Sequence, residues 1–163
     1  MQPAKDSFYV ELRNRLVAVD PGRTITLDGA TRPAIAVVEN EPPAAAPPLC
    51  DAFYLHWGSA HLVQPSVGTM MALDCTISYC TAGGEQNGWL DRGRDLASLD
   101  NDLLAICSPA HTAKCDYSSG SPVPLGSTIF WTQPTLGAAK TTPPYVGREI
   151  VITLFFYPEV NQT

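Results

Sequence analysis

Met71–Tyr79, MALDCTISY, is the stretch whose reading decides the fold. Leu73, Cys75, Ile77 and Tyr79 alternate with Asp74, Thr76 and Ser78. A period of two is that of a strand with one face on a core and the other on water or a partner. A Gly/Asn-rich loop, Ala82 to Gly88, follows, and then a helical run from about Asp91 to Ser108. Leu96, Leu99, Leu103 and Ile106 form its apolar stripe, Asp91 and Asp95 suit the dipole at its start, and Pro109 follows its end. Strand, loop and covering helix together predict an α+β unit.

Upstream, Phe8, Leu12 and Leu16 share one face of a first helix that Asp6 or Ser7 is placed to cap. Asp20-Pro21-Gly22 ends it. Asp28-Gly29 suits a tight hairpin turn, with Thr24–Leu27 and Ala34–Val38 as its strands and Pro33 at an edge or an entry. The proline-rich stretch 41–48, EPPAAAPP, reads as an extended arm within one domain, because too little chain precedes it for a separate one. Asp51–Val63 reads as a strand with Phe53, Leu55 and Trp57 on one face, Tyr54 and His56 on the other, and Gly58 at a bulge or bend. Pro65–Gly68 is the turn into the next strand.

After the second helix, Thr112–Tyr117 is expected as a short strand, 118–126 as a loop, and Ser127–Thr132 as a strand. A Pro/Gly-rich long loop, 134–147, leads to the last strand, Glu149–Tyr157. Ile150, Ile152, Leu154 and Phe156 fill one face of that strand. Val151, Phe155 and Tyr157 make its other face apolar too, which calls for a cover from a helix or a neighbouring subunit. Residues 159–163 are expected to fray. The expected architecture is therefore a single domain over 1–163: a mostly antiparallel twisted sheet packed by two amphipathic helices, one of them N-terminal, with long Pro-rich loops.

With 163 residues and 45% hydrophobic content, the chain has enough material for one core without metal or disulfides. A net charge of −6 and no basic run argue against binding to a nucleic-acid backbone. The start, MQPAKDSF, has no apolar signal-peptide core, and the apolar run Ile150–Tyr157 is too short to span a bilayer, so the expectation is a soluble cytoplasmic protein with no membrane partner.

The search for chemistry is unrewarding. The five cysteines, Cys50, Cys75, Cys80, Cys107 and Cys115, show no zinc-type spacing. Cys75 and Cys80, five apart on one strand, point to opposite faces. Cys107 and Cys115 are the pair to test for a disulfide. His56 and His61, also five apart on a strand, are expected to face opposite ways. Asp91, Asp95, Asp100 and Asp102 read as a solvated acidic face. Gly137-Ala-Ala-Lys140-Thr141 lacks the second glycine of a phosphate loop, and no G-x-S-x-G elbow occurs. No catalytic, cofactor-binding or metal residue is assigned, and the chain is expected not to be an enzyme.

The order of elements resembles that of small α+β phage tail proteins, in particular the tail terminator family (minor tail protein U-like). The resemblance rests on Phe8-Tyr9-Val10-Glu11-Leu12-Arg13 with Arg15-Leu16, on Arg32-Pro33-Ala34-Ile35-Ala36-Val37, on Arg92-Gly93-Arg94-Asp95-Leu96, and on Val151–Tyr157. It is a likeness of layout across nearly the whole chain. It implies a phage or prophage structural subunit, located in the virion tail and in the host cytoplasm during assembly. Such subunits form a hexameric ring that caps the tail tube and joins it to the head connector, with no cofactor. It further implies an oligomer interface at Val151, Phe155, Tyr157, Phe130 and Trp131. Another head-tail joining or tail-completion protein is the nearest alternative. A cysteine- or zinc-dependent enzyme using two or more of Cys75, Cys80, Cys107 and Cys115 with His111 is the alternative of another class. A small-molecule module built on Trp57, Trp89 and Trp131 comes third.

Overall fold

The computed structural model describes residues 1–27, 29–39, 50–63, 69–83 and 91–158. The expected turn residue Asp28, the arm at 41–48, the turn at 65–68, most of the loop at 82–88, Trp89 and the tail at 159–163 lie outside them. The chain is α+β and a single domain, with two helices on a mostly antiparallel, curled sheet.

Helix α1, Gln2–Val19, buries Phe8, Leu12 and Leu16 as their spacing requires. It begins earlier than a cap at Asp6 or Ser7 would allow. Pro3 occupies its first turn, where a missing N–H costs nothing. The Ser7 hydroxyl is used elsewhere: it donates to the Pro3 carbonyl at 2.6 Å and accepts the Cys115 amide at 2.9 Å. Helix α2, Arg92–Ile106, buries Leu96, Leu99, Leu103 and Ile106. Arg15 of α1 lies against the end of α2, donating to the Ile106 and Ser108 carbonyls at 3.1 and 3.0 Å. A cation there satisfies carbonyls that have no partner within the helix.

Strands β1, Thr24–Leu27, and β2, Ala30–Pro33, form a separate two-stranded hairpin. The hairpin therefore closes four residues earlier than the expected second strand, Ala34–Val38. Pro33 ends β2, and β3, Ile35–Val37, leaves to pair in parallel with β4, Phe53–Leu62. All three residues of β3 are buried, so burying that run in the main sheet outweighs extending an exposed hairpin.

The main sheet runs β3-β4-β5-β10-β7-β6, where β5 is Met71–Thr81, β6 His111–Asp116, β7 Val123–Trp131 and β10 Tyr145–Phe156. The decisive stretch is an inner strand, paired antiparallel with β4 on one side and β10 on the other. Two elements are longer than their composition suggests. β7 reaches back through Pro124, whose partner is Cys115 of β6, so much of the expected 118–126 loop is strand. The expected 134–147 loop contains β8, Thr135–Leu136, and β9, Lys140–Thr142, both paired with the first half of β10. They occupy the edge that β7 leaves, since β7 meets β10 only at Leu154–Phe156.

Both helices lie on one face of the sheet. Leu73, Cys75, Ile77 and Tyr79 of β5 and Ile150, Ile152, Leu154 and Phe156 of β10 meet them there, all buried. Phe8 ties the layers together, edge-on to Trp57 of β4 at 6.2 Å and to Trp131 of β7 at 5.2 Å between ring centroids.

Candidate functional site

Residues paired across neighbouring strands share a face, so the registers fix what the uncovered side of the sheet presents. One row runs across five strands: His61 of β4, Ala72 of β5, Phe155 of β10, Phe130 of β7 and His111 of β6. Its centre is apolar. Phe155 and Phe130 stack at 5.1 Å between centroids and 16° between planes. Phe130 keeps 39% of its surface exposed, Val151 48% and Tyr157 51%, with no covering element among the described residues.

A polar row separates Phe155 from Val151. The Thr153 hydroxyl donates to Asp74 at 3.1 Å and the Ser59 hydroxyl donates to its other oxygen at 3.3 Å. Beyond it, His56, Thr76, Val151 and Thr135 form the next row, and the His56 ring lies 3.0 Å from the Ser78 hydroxyl. Glu149, further along β10, is bridged to Lys140 at 2.9 Å. The face is therefore an aromatic pair flanked by imidazoles and set among hydroxyls, with its two carboxylates already engaged.

Two expectations about this face change. Trp131 belongs to the core: it is 3% exposed, and its indole N–H donates to the Cys107 and Ser108 carbonyls, each at 3.2 Å. Phe130, one residue back, points out because a strand alternates. His56 and His61 share the outer face instead of opposing each other. The register slips between Trp57 and Ala60, where β4 spends one more residue than β5, and that bulge reverses the alternation. Gly58 sits in it, and a Cβ there would lie 3.2 Å from the Asp74 Cβ. The glycine was readable as a bulge; its effect on the phase of the histidines was not.

Asp100 and Asp102 also depart from the expected solvated face. Asp102 pairs with Arg23 at 2.7 Å. Asp100 accepts the Tyr79 hydroxyl and pairs with Arg148 at 3.1 Å, and Arg148 donates in addition to the Gly137 carbonyl at 2.6 Å. These contacts fasten α2 to the sheet and to the segment after α1. Burial and the neighbouring Asp100 carboxylate push the Tyr79 phenol up from its ordinary value.

All five thiols are free, including Cys107 and Cys115. Cys75 and Cys107 are fully buried, and burial drives both thiols up, away from nucleophilic character. Cys75 faces the helices and Cys80 the other side, as their spacing requires. His111 lies on β6, with β7 and β10 between it and the cysteines of β5, Cys75 and Cys80. Among the described residues no three His, Cys, Asp or Glu side chains gather where a metal ion could be held. Cys50 and Cys80 are also brought near each other, a pairing with no sequence signal, since they lie 30 positions apart. Trp131 is buried against Phe8, and the half-buried Trp57 meets Phe8 on one side and the Lys5 ammonium over its ring.

No family model matches the chain, and no curated protein matches it either. No helix is long and apolar enough to cross a membrane, among the described residues.

Proposed function

We propose that the chain is a self-associating structural subunit of the tail terminator type. Its copies form a ring, expected to be hexameric, that closes a phage tail tube and meets the head connector. The observation that carries this reading is the outer face of the sheet, where Phe130 and Phe155 stack in the open beside Val151 and Tyr157. Exposed apolar surface of this kind, set in a polar surround, is characteristic of a contact surface. The sparse charge of the face supports the reading, because a chain of net charge −6 associates most readily where its charges are few. The reading also draws on the resemblance of element order noted in the sequence.

The test is native mass by light scattering across concentration, in low and moderate salt, on the wild type and on a Phe130→Glu/Phe155→Glu variant. The expected result is a discrete hexamer, or a monomer that moves toward one, together with a variant that stays monomeric and melts within about 2 °C of the wild type, as exposed substitutions do. A wild type that is monomeric throughout and fails to co-sediment with tail tubes overturns the proposal, and so does a mass that stops at the dimer.

A further inference from the structure

Cys50 lies two residues beyond the proline-rich stretch, just before β4, and Cys80 near the end of β5. The Asp51 amide donates to the Cys80 carbonyl at 2.8 Å, which draws the backbones of both cysteines together. Asp51 itself takes a positive φ of 63°, a conformation aspartate tolerates better than most residues, so the chain turns sharply as it enters β4. The two thiols lie near enough to influence each other's proton affinity. Both residues are partly exposed. Cys75 and Cys107 are sealed in the core, and Cys115 lies on β6, away from β5 across β10 and β7.

From this juxtaposition we infer that Cys50 and Cys80 form a modification site, an intramolecular disulfide made when the chain meets a small-molecule disulfide oxidant such as oxidised glutathione. Burial raises both thiols above their ordinary value, Cys80 to about 12 and Cys50 by less, because its contacts with Cys80 and Ala82 offset part of the burial. Cys50 gives up its proton more readily of the two and is therefore the attacking sulfur. Its thiolate displaces one glutathione thiolate from the oxidant and leaves a mixed disulfide on Cys50. Cys80 then loses its proton to solvent, attacks the Cys50 sulfur and expels the second glutathione. Two protein thiols are oxidised and one oxidised glutathione becomes two reduced ones. Burial and the high affinity of Cys80 for its proton make the reverse attack slow, so the product is a durable clamp. It fastens the approach to β4 to an inner strand of the sheet.

The test uses the full chain, reduced and then exposed to oxidised glutathione at pH 8.5, followed by alkylation in denaturant, intact mass and peptide mapping. The expected result is that the five thiols of the reduced chain fall by two. The alkylated product should carry three alkyl groups where the reduced chain carries five, a Cys50–Cys80 peptide should be recovered, and Cys115→Ser should form the same crosslink. Cys80→Ser should stop at a glutathione adduct on Cys50, while Cys50→Ser should accumulate no comparable adduct. Closing the loop between the two cysteines should raise the Tm of the oxidised chain by roughly 5 °C or more. A crosslink that maps to another pair or joins two chains overturns the inference, as does a wild type that keeps all five thiols.

Discussion

Replacing Asp100 by alanine removes the acceptor at the centre of the contact between α2 and the sheet. Its side chain is 16% exposed and that of Arg148 21%, so both charges are largely out of water. The Arg148 Nε–H lies 3.1 Å from the carboxylate but is not aimed along a hydrogen bond, so its pairing is mainly Coulombic. The Tyr79 hydroxyl, by contrast, donates directly to Asp100. Breaking a fully buried pair costs about 3–5 kcal/mol. Residual exposure and the Gly137 carbonyl, which still accepts from Arg148, lower that to about 2–3 kcal/mol, including the stranded phenol. For a chain of this size the loss corresponds to a Tm fall of roughly 5–10 °C. Guanidinium unfolding followed by tryptophan fluorescence measures it. Asp100→Asn, which retains an acceptor for Tyr79 and loses the charge, should fall between alanine and wild type. If Asp100→Ala unfolds within about 0.5 kcal/mol of the wild type, the carboxylate is the solvated surface group its neighbours in sequence suggest, and the reasoning fails.

Two further stability predictions rest on other features. Cys75 and Cys107 have thiols raised by burial, and Tyr79 a phenol raised by burial and Asp100. The stability these groups contribute is complete below their unfolded values and is lost as pH rises toward the folded ones. Stability should thus hold up to about pH 9 and then fall by about 1.4 kcal/mol per pH unit for each group the unfolded chain ionises first, with urea midpoints from pH 7 to 11 as the check. A midpoint unchanged at pH 11 would refute it. Gly147 faces Cys80 across β5 and β10, and a Cβ there would meet the Tyr79 carbonyl oxygen at 2.6 Å and the Cys80 Cβ at 3.0 Å. Gly147→Ala should cost about 1–3 kcal/mol in the same unfolding assay, and a neutral result would mean that the strands separate freely at that point.

What could be read in advance was local. The alternation in β5 and in the last strand and the leucine stripe of α2 are periodicities of single elements, and each element appears where its period places it. Most of the misses in the fold needed a partner distant in the chain. Ile35–Val37 reads as half of a hairpin until Phe53–Leu55 is available to bury it. Val123–Gly126 and the short strands β8 and β9 have loop-like composition, and they become strand because β6 and β10 offer edges to pair with. Asp100 and Asp102 sit two apart on a helix and so diverge, one toward Tyr79 and Arg148, the other toward Arg23. For the candidate face, the outward Val151, Phe155, Tyr157 and Phe130 follow from alternation alone. Trp131 was misplaced because hydrophobic size was weighed above the strand phase that separates it from Phe130.

Symmetry sets a condition on the proposed ring. If two copies stack their Phe130–Phe155 faces on each other, the contact is isologous and association ends at two. A ring needs the face of one copy to meet a different surface of the next. The edges of the sheet are poor candidates for that second surface: β6 has its backbone engaged by Ser7 of α1 at Cys115, and β3 is three buried residues long. Away from the sheet, Val17 and Val19, at the end of α1, are 50% and 46% exposed. They are apolar and lie on the helical side, opposite the aromatic row. A head-to-tail contact between that end of α1 and the outer face would leave each copy with one used surface of each kind, which is the arrangement a closed ring requires. The distinction is therefore carried by stoichiometry: a mass that stops at two means face on face, and a mass that reaches six means that the outer face has found a second, different surface on its neighbour.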